Sequence, residues 1–156
     1  MMKNIYKLVF LSAIFFAVNI CTANAQTVTG SVGNGTFTPG KTVRATVVLS
    51  LPGGLHANSH NPGGEYSVPT TVRASAKDVR IGAVSYPRGR NRKFEFSSDT
   101  INVYEGRTSF GFNITVPATY TGKSLRVNVT VKYQACTNEV CYPPKSKQVT
   151  LTARAN

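Results

Sequence analysis

The chain has 156 residues, three cysteines and a formal net charge of +12. That is one ordinary domain, large enough to build a core without disulfides holding it together, and basic enough to be drawn to acidic partners, anionic surfaces or nucleic acid. No basic helix, zinc-finger spacing or aromatic platform supports nucleic acid. No Ser–His–Asp arrangement or phosphate-cradling loop points to a hydrolase or a nucleotide enzyme.

The N-terminal residues read as a leader. A start carrying Lys3 and Lys7 is followed by an almost wholly apolar run over residues 8–20 and then by Ala23-Asn24-Ala25. Charge, apolar run and small-residue site, in that order, make a secretory signal peptide. The apolar run is shorter than the roughly 20 residues a spanning helix needs, and no later stretch is longer. We expect residues 1–25 to be cleaved as a signal peptide and residues 26–156 to form one exported domain, periplasmic or secreted and not membrane-spanning. The rival reading, a lipid anchor on Cys21, lacks small residues in Val18-Asn19-Ile20. Cleavage removes Cys21, Lys3 and Lys7, and leaves Cys136 and Cys141 in a compartment that permits disulfides.

Beyond the leader the hydrophobic period is two almost everywhere. A weak strand is expected over residues 27–32. In residues 41–50, Val43, Ala45, Val47 and Leu49 alternate with Thr42, Arg44, Thr46 and Val48. Pro52-Gly53-Gly54 and Asn61-Pro62-Gly63-Gly64 break the chain on either side of His56 and His60. Weaker strands follow over residues 70–76, 79–85 and near 93–96. Arg88-Gly89-Arg90-Asn91-Arg92-Lys93, the densest charge run, reads as a solvated loop. In residues 107–116, Phe110, Phe112, Ile114 and Val116 share one face. In residues 124–133, Leu125, Val127, Val129, Val131 and Tyr133 do the same, and Val149, Leu151 and Ala153 repeat the pattern in residues 148–153. Strict alternation means one face buried and one wet, as in antiparallel sheets, and Thr and Val enrichment agrees. Roughly seven to nine short strands predict an all-β, immunoglobulin-like antiparallel β-sandwich, with a barrel as the alternative. Val47, Phe112, Ile114, Val127, Val129 and Leu151 should be buried.

The informative segment is Tyr133-Gln134-Ala135-Cys136-Thr137-Asn138-Glu139-Val140-Cys141-Tyr142-Pro143-Pro144. It follows the strongest strand pattern. The short spacer lets the two cysteines face each other across a tight hairpin, within reach of a disulfide. In the chain-entropy model a loop this small is stabilised by only about 2 kcal/mol, against about 4.7 for a hundred-residue loop. Pro143-Pro144 removes two backbone donors from the exit. Lys132, Lys145 and Lys147 could favour a thiolate, and Glu139 opposes one. A redox-active pair and a structural clip both remain open on these grounds.

Tyr133-Gln134-Ala135-Cys136, the spacer, and Cys141-Tyr142-Pro143-Pro144 resemble the active-site motif of the N-terminal periplasmic domain of the DsbD family of thiol:disulfide interchange proteins. The resemblance extends upstream, through the segment from His56 to Val68-Pro69-Thr70, Tyr86-Pro87, Phe94-Glu95-Phe96 and Val103-Tyr104-Glu105-Gly106. It implies an immunoglobulin-like fold; no cofactor or metal is expected, since no Asp-rich calcium loop and no third cysteine beyond the leader supports one. It implies a cysteine pair that takes electrons from a thioredoxin-like domain and hands them to oxidised periplasmic proteins, among them a disulfide isomerase and thioredoxin-like proteins of cytochrome c biogenesis. By the same resemblance Cys136 and Cys141 exchange, Cys141 attacking and Cys136 resolving. Tyr133, Gln134, Tyr142 and Pro143 support the pocket, and Phe94 or Phe96 caps it. Family members carry a membrane electron conduit. This sequence ends at Asn156 with neither that conduit nor a second thioredoxin-like domain, so the conduit is expected on a separate chain, with thioredoxin-like redox proteins as the other partners, unless the domain serves a different redox or folding purpose.

Two other classes of function stay beside thiol–disulfide oxidoreductase: a binding or assembly sandwich with a purely structural disulfide, and a copper- or zinc-binding module using His56, His60 and the cysteines.

Overall fold

The computed structural model describes residues 25–156. The leader, Cys21 included, lies outside the described residues. The described chain runs through β1 (Thr27–Val32), β2 (Thr36–Phe37), β3 (Thr42–Ser50), β4 (His56–Asn58), β5 (Thr71–Ser75) and β6 (Arg80–Ile81). It continues through β7 (Arg90–Lys93), β8 (Thr100–Glu105), β9 (Arg107–Thr115), β10 (Ser124–Tyr133), β11 (Ala135–Cys136) and β12 (Lys145–Ala155). There is no helix among the described residues, and so none long and apolar enough to cross a membrane.

Alternation builds the sandwich. In β10, Leu125, Val127, Val129, Val131 and Tyr133 are buried while Ser124, Arg126, Asn128 and Lys132 are exposed. In β9, Phe110, Phe112 and Ile114 point inward, and in β3 Ala45, Val47 and Leu49 do. One sheet has the order β1-β3-β9-β6, the other β2-β12-β10-β5. Their inner faces meet in a single core that also takes in Leu151 and Ala153 of β12. Pairing is antiparallel throughout except where β2 runs parallel to β12. All six core positions read from the sequence are buried. Gly30 is required where it stands, since a Cβ there would meet the Thr46 carbonyl oxygen and the Leu151 side chain.

A third sheet, in the order β11-β4-β8-β7, carries the cysteine motif. It is absent from the alternation pattern, for physical reasons. All three residues of β4 are buried, so no period shows. All four residues of β7 are exposed. That strand overlaps the Arg88–Lys93 run expected as a loop: Arg90 to Lys93 stay solvated but pair by backbone with β8. Phe94 to Phe96, expected near a strand, leave the sheet instead. The strand expected over residues 79–85 shrinks to β6, with one further bridge from Ser85 to Gly111.

One face of the third sheet, through Ala57, Tyr104 and Ala135, joins the main core. Ile101 and Val103 of the opposite face cluster with Phe94, which folds back over them. Gly106, at φ 61°, turns β8 straight into β9, so this sheet is tied to the sandwich by a one-residue corner.

Candidate redox site

Cys136 and Cys141 are joined, with an S–S distance of 2.01 Å and Cα atoms 4.0 Å apart. They oppose each other as an antiparallel bridge. The turn between them closes on itself. Thr137 N–H donates to the Val140 carbonyl at 2.8 Å, and Tyr142 N–H donates to the Ala135 carbonyl at 2.9 Å. The Thr137 hydroxyl oxygen accepts from the N–H groups of Glu139 and Val140, at 3.2 and 3.1 Å. Such side-chain bonds to the next residues are what Thr contributes to turns.

The two sulfurs have unequal surroundings. Cys136, in β11 opposite His56 of β4, is fully buried. Cys141 is exposed and lines a groove of about 250 Å³ with Asn58, Tyr66, Phe96, Asp99 and Gln134. Tyr66, Phe96, Val140 and Tyr142 are large apolar side chains left open to solvent, Tyr66 by 89% of its surface. Two of them line the groove and the other two flank Cys141 in the chain. An apolar patch gathered round one accessible sulfur is the surface a docking partner needs.

Gln134 braces the site. Its Nε2 donates to the Tyr142 carbonyl at 3.2 Å, and its Oε1 accepts from Asn58 Nδ2 at 3.3 Å. Asn58 also donates to the Val68 carbonyl. The amide therefore ties the strand before Cys136 to the segment after Cys141. Tyr133 is placed differently: it is fully buried in the main core, its hydroxyl donating to Gln26 Oε1 at 3.0 Å, and burial pushes its phenol above the ordinary value. Pro143 lies exposed at the exit.

The two candidate cap aromatics also part company. Phe94 is buried and stacks on His56 with ring centroids 4.3 Å apart, while Phe96 stacks on Phe94 at 5.2 Å, stays half open and faces the groove. His60 stacks on Tyr86 instead, with Nδ1 3.1 Å from the Thr70 carbonyl. Among the described residues no cluster of three or more His, Cys, Asp or Glu side chains is disposed to hold a metal. The groove residues Tyr66, Asn58 and Asp99 were not singled out by the sequence, because they belong to loops and to the short strand β4.

Burial holds the His56 imidazole below its ordinary value of 6.5. Glu105, its partner in β8, opposes that shift and Arg92 adds to it. The unfolded chain therefore binds more protons than the folded one just below pH 6.5. Stability should be intact above that point and fall as the pH drops through the window beneath it. Thermal melts should show the loss, and His56→Gln should reduce it. Identical acid slopes in both proteins would exclude His56 as the cause.

The chain matches, over residues 27–153, the family described as thiol:disulfide interchange protein DsbD, N-terminal. It is 24% identical over 88 residues to the thiol:disulfide interchange protein DsbD of Actinobacillus pleuropneumoniae serotype 5b (strain L20), an alignment covering 56% of this chain and 14% of that protein. Its fold resembles the crystal structure of the N-terminal periplasmic domain of ScsB from Proteus mirabilis, with a TM-score of 0.52 and 15% identity, over 86% of this chain and 49% of that one. The chain thus spans less than half of either relative. Fold, cysteine motif and profile agree, and the chain belongs to the DsbD N-terminal domain family.

Proposed function

We propose that this domain is a periplasmic thiol–disulfide exchange module that passes reducing equivalents between thioredoxin-like partners through Cys136 and Cys141. The observation that carries the reading is the asymmetry of the pair: one sulfur fully buried, the other exposed and ringed by Tyr66, Phe96, Val140 and Tyr142. Exchange proceeds by in-line attack of a thiolate on an accessible sulfur. An incoming thiolate can reach Cys141, forming a mixed disulfide there and releasing Cys136 as the leaving thiolate. In the other direction the reduced Cys141 attacks an oxidised partner, and Cys136 then resolves the mixed disulfide. Phe96, exposed at the groove, is the aromatic able to lift away as a cap, while Phe94 stays packed on His56. Electrons would enter from a thioredoxin-like domain served by a membrane electron conduit. Family membership and the periplasmic setting of the ScsB domain support both partner class and location.

The test is reduction of the purified disulfide by thioredoxin with its reductase, followed by reoxidation with an oxidised thioredoxin-like substrate. Rapid, catalytic cycling is expected. A bridge that resists thioredoxin while yielding to harsh reductant would make it a structural clip.

Charge should govern the encounter. Arg92 and Lys93 of β7 share a cleft of about 520 Å³ with Asn138 and Glu139 of the cysteine turn, so the basic edge strand flanks the site. Complementary charge raises association rates more than affinity. Raising salt from about 0.01 M to 0.15 M, where the screening length drops from about 30 to 8 Å, should slow exchange with an acidic partner severalfold. A salt-independent rate would remove steering from the account.

A further inference from the structure

Cys136, His56 and Glu105 stand side by side across three adjacent strands. The register pairs Cys136 with His56, and His56 with Glu105. Directly opposed residues share one face of a sheet, with Cβ atoms about 4.5–5.5 Å apart. His56 is buried beside the buried Cys136, and Phe94 stacks flat on its ring at 4.3 Å, fixing the ring plane and keeping water off it. Glu105, beyond His56 in the row, holds Arg92 at 3.3 Å and Arg90 at 3.9 Å.

We propose that His56 is the proton acceptor for Cys136, an inference that rests on the exchange function above. A buried thiol is reluctant to ionise, yet Cys136 must become a thiolate to resolve a mixed disulfide, and no water layer covers it. In the resolving step the Cys136 proton passes to a ring nitrogen of His56. The Cys136 sulfur bonds to the Cys141 sulfur, the bond from Cys141 to the partner breaks, and the partner leaves as a thiolate. In the reverse direction, attack on Cys141 expels Cys136 as a thiolate, and the proton that the incoming thiol gave up to solvent reaches that sulfur through His56.

The groups that face His56 suit both halves of this cycle. Cys136 from β11 is the donor, Glu105 from β8 stabilises the imidazolium, and Arg92 from β7 restrains it while tying down the carboxylate. Burial keeps the resting ring neutral near pH 7, ready to accept.

The experiment isolates the resolving step. Reduced protein is mixed with dithiobis(nitrobenzoate). The first thionitrobenzoate reports formation of the mixed disulfide on Cys141, and the second reports its resolution by Cys136. His56→Phe keeps a flat ring for Phe94 to stack on but has no acceptor. His56→Gln serves if the Phe variant does not fold. At pH 7 the second release should slow by about tenfold or more in the variant, with the first release unchanged. The gap should close near pH 9.5, above the ordinary thiol value of about 8.5. Glu105→Gln should move the acid limb of the profile. Equal second-phase rates at pH 7, or a slowing by the same factor at every pH, would overturn the proposal. Thioredoxin reduction of the wild-type bridge separates the two levels. A bridge that opens, with variants matching wild type, overturns the role of His56 alone. A bridge that never opens overturns the exchange function as well.

Discussion

Replacing Cys136 by Ser should yield a folded protein that captures a thioredoxin-like partner on Cys141 and cannot release it. The surviving sulfur is the exposed one, so attack on the partner proceeds, and the buried residue that would resolve the complex is gone. Two-electron turnover should fall to background. The fold should survive because the loop is small: losing its bridge costs about 2 kcal/mol in the chain-entropy model, and placing a hydroxyl at the buried position costs about 1–3 kcal/mol more. A domain of this size typically has about 5–15 kcal/mol to lose. Cys141→Ser should fold too and capture nothing, since Cys136 is out of reach. The partner is a single-cysteine thioredoxin carrying thionitrobenzoate on its sulfur: Cys141 attacks that mixed disulfide and expels thionitrobenzoate, non-reducing electrophoresis reads the trapped complex, and circular dichroism reads the fold. Capture by Cys141→Ser in place of Cys136→Ser would reverse the assigned roles, and unfolding of both variants would make the bridge structural.

Truncating Phe112 to Ala should destabilise the domain by about 3–5 kcal/mol. Phe112 sits in the middle of β9, paired with Ala45 of β3 and 1% exposed, so its ring fills the space between the two large sheets. The backbone beside it is not free to collapse into the void, because β3 is held in ladder register with β9 along its whole length. Arg126→Ala, on the wet face of β10, should change stability by less than about 0.5 kcal/mol. Denaturant unfolding measures both: the Phe112 variant should shift the midpoint without changing the slope. A loss below about 1 kcal/mol would mean that the core is not packed as described.

The sandwich was legible because its long strands have one wet face. The stretches 27–32 and 124–133 coincide with β1 and β10 residue for residue. The third sheet was not legible, although it holds the candidate site. The His56–Asn58 strand is buried on both faces, Arg90–Lys93 has no apolar residue, and Ala135–Cys136 is too short to show any period. The motif marked both cysteines and Gln134. It could not say that Phe94 would be pinned by His56 and Phe96 left free, because that difference arises from a loop folding back on a sheet the pattern does not reveal. The groove is likewise assembled from segments distant in sequence, as Asn58, Tyr66, Asp99 and Cys141 illustrate.

The hydrogen bonds that close the Cys136–Cys141 turn owe nothing to the sulfur–sulfur bond. Thr137 to Val140, Tyr142 to Ala135 and Gln134 to Tyr142 all involve backbone or amide groups. These bonds should therefore keep the two thiols poised over each other when the bridge is reduced. Their mutual effective concentration should then greatly exceed that of any free thiol, since pre-set geometry is what raises effective molarity. If the proposed exchange holds, a partner caught on Cys141 should meet a competitor already in place, and the lifetime of the joined complex should be set by how fast the domain reseals itself.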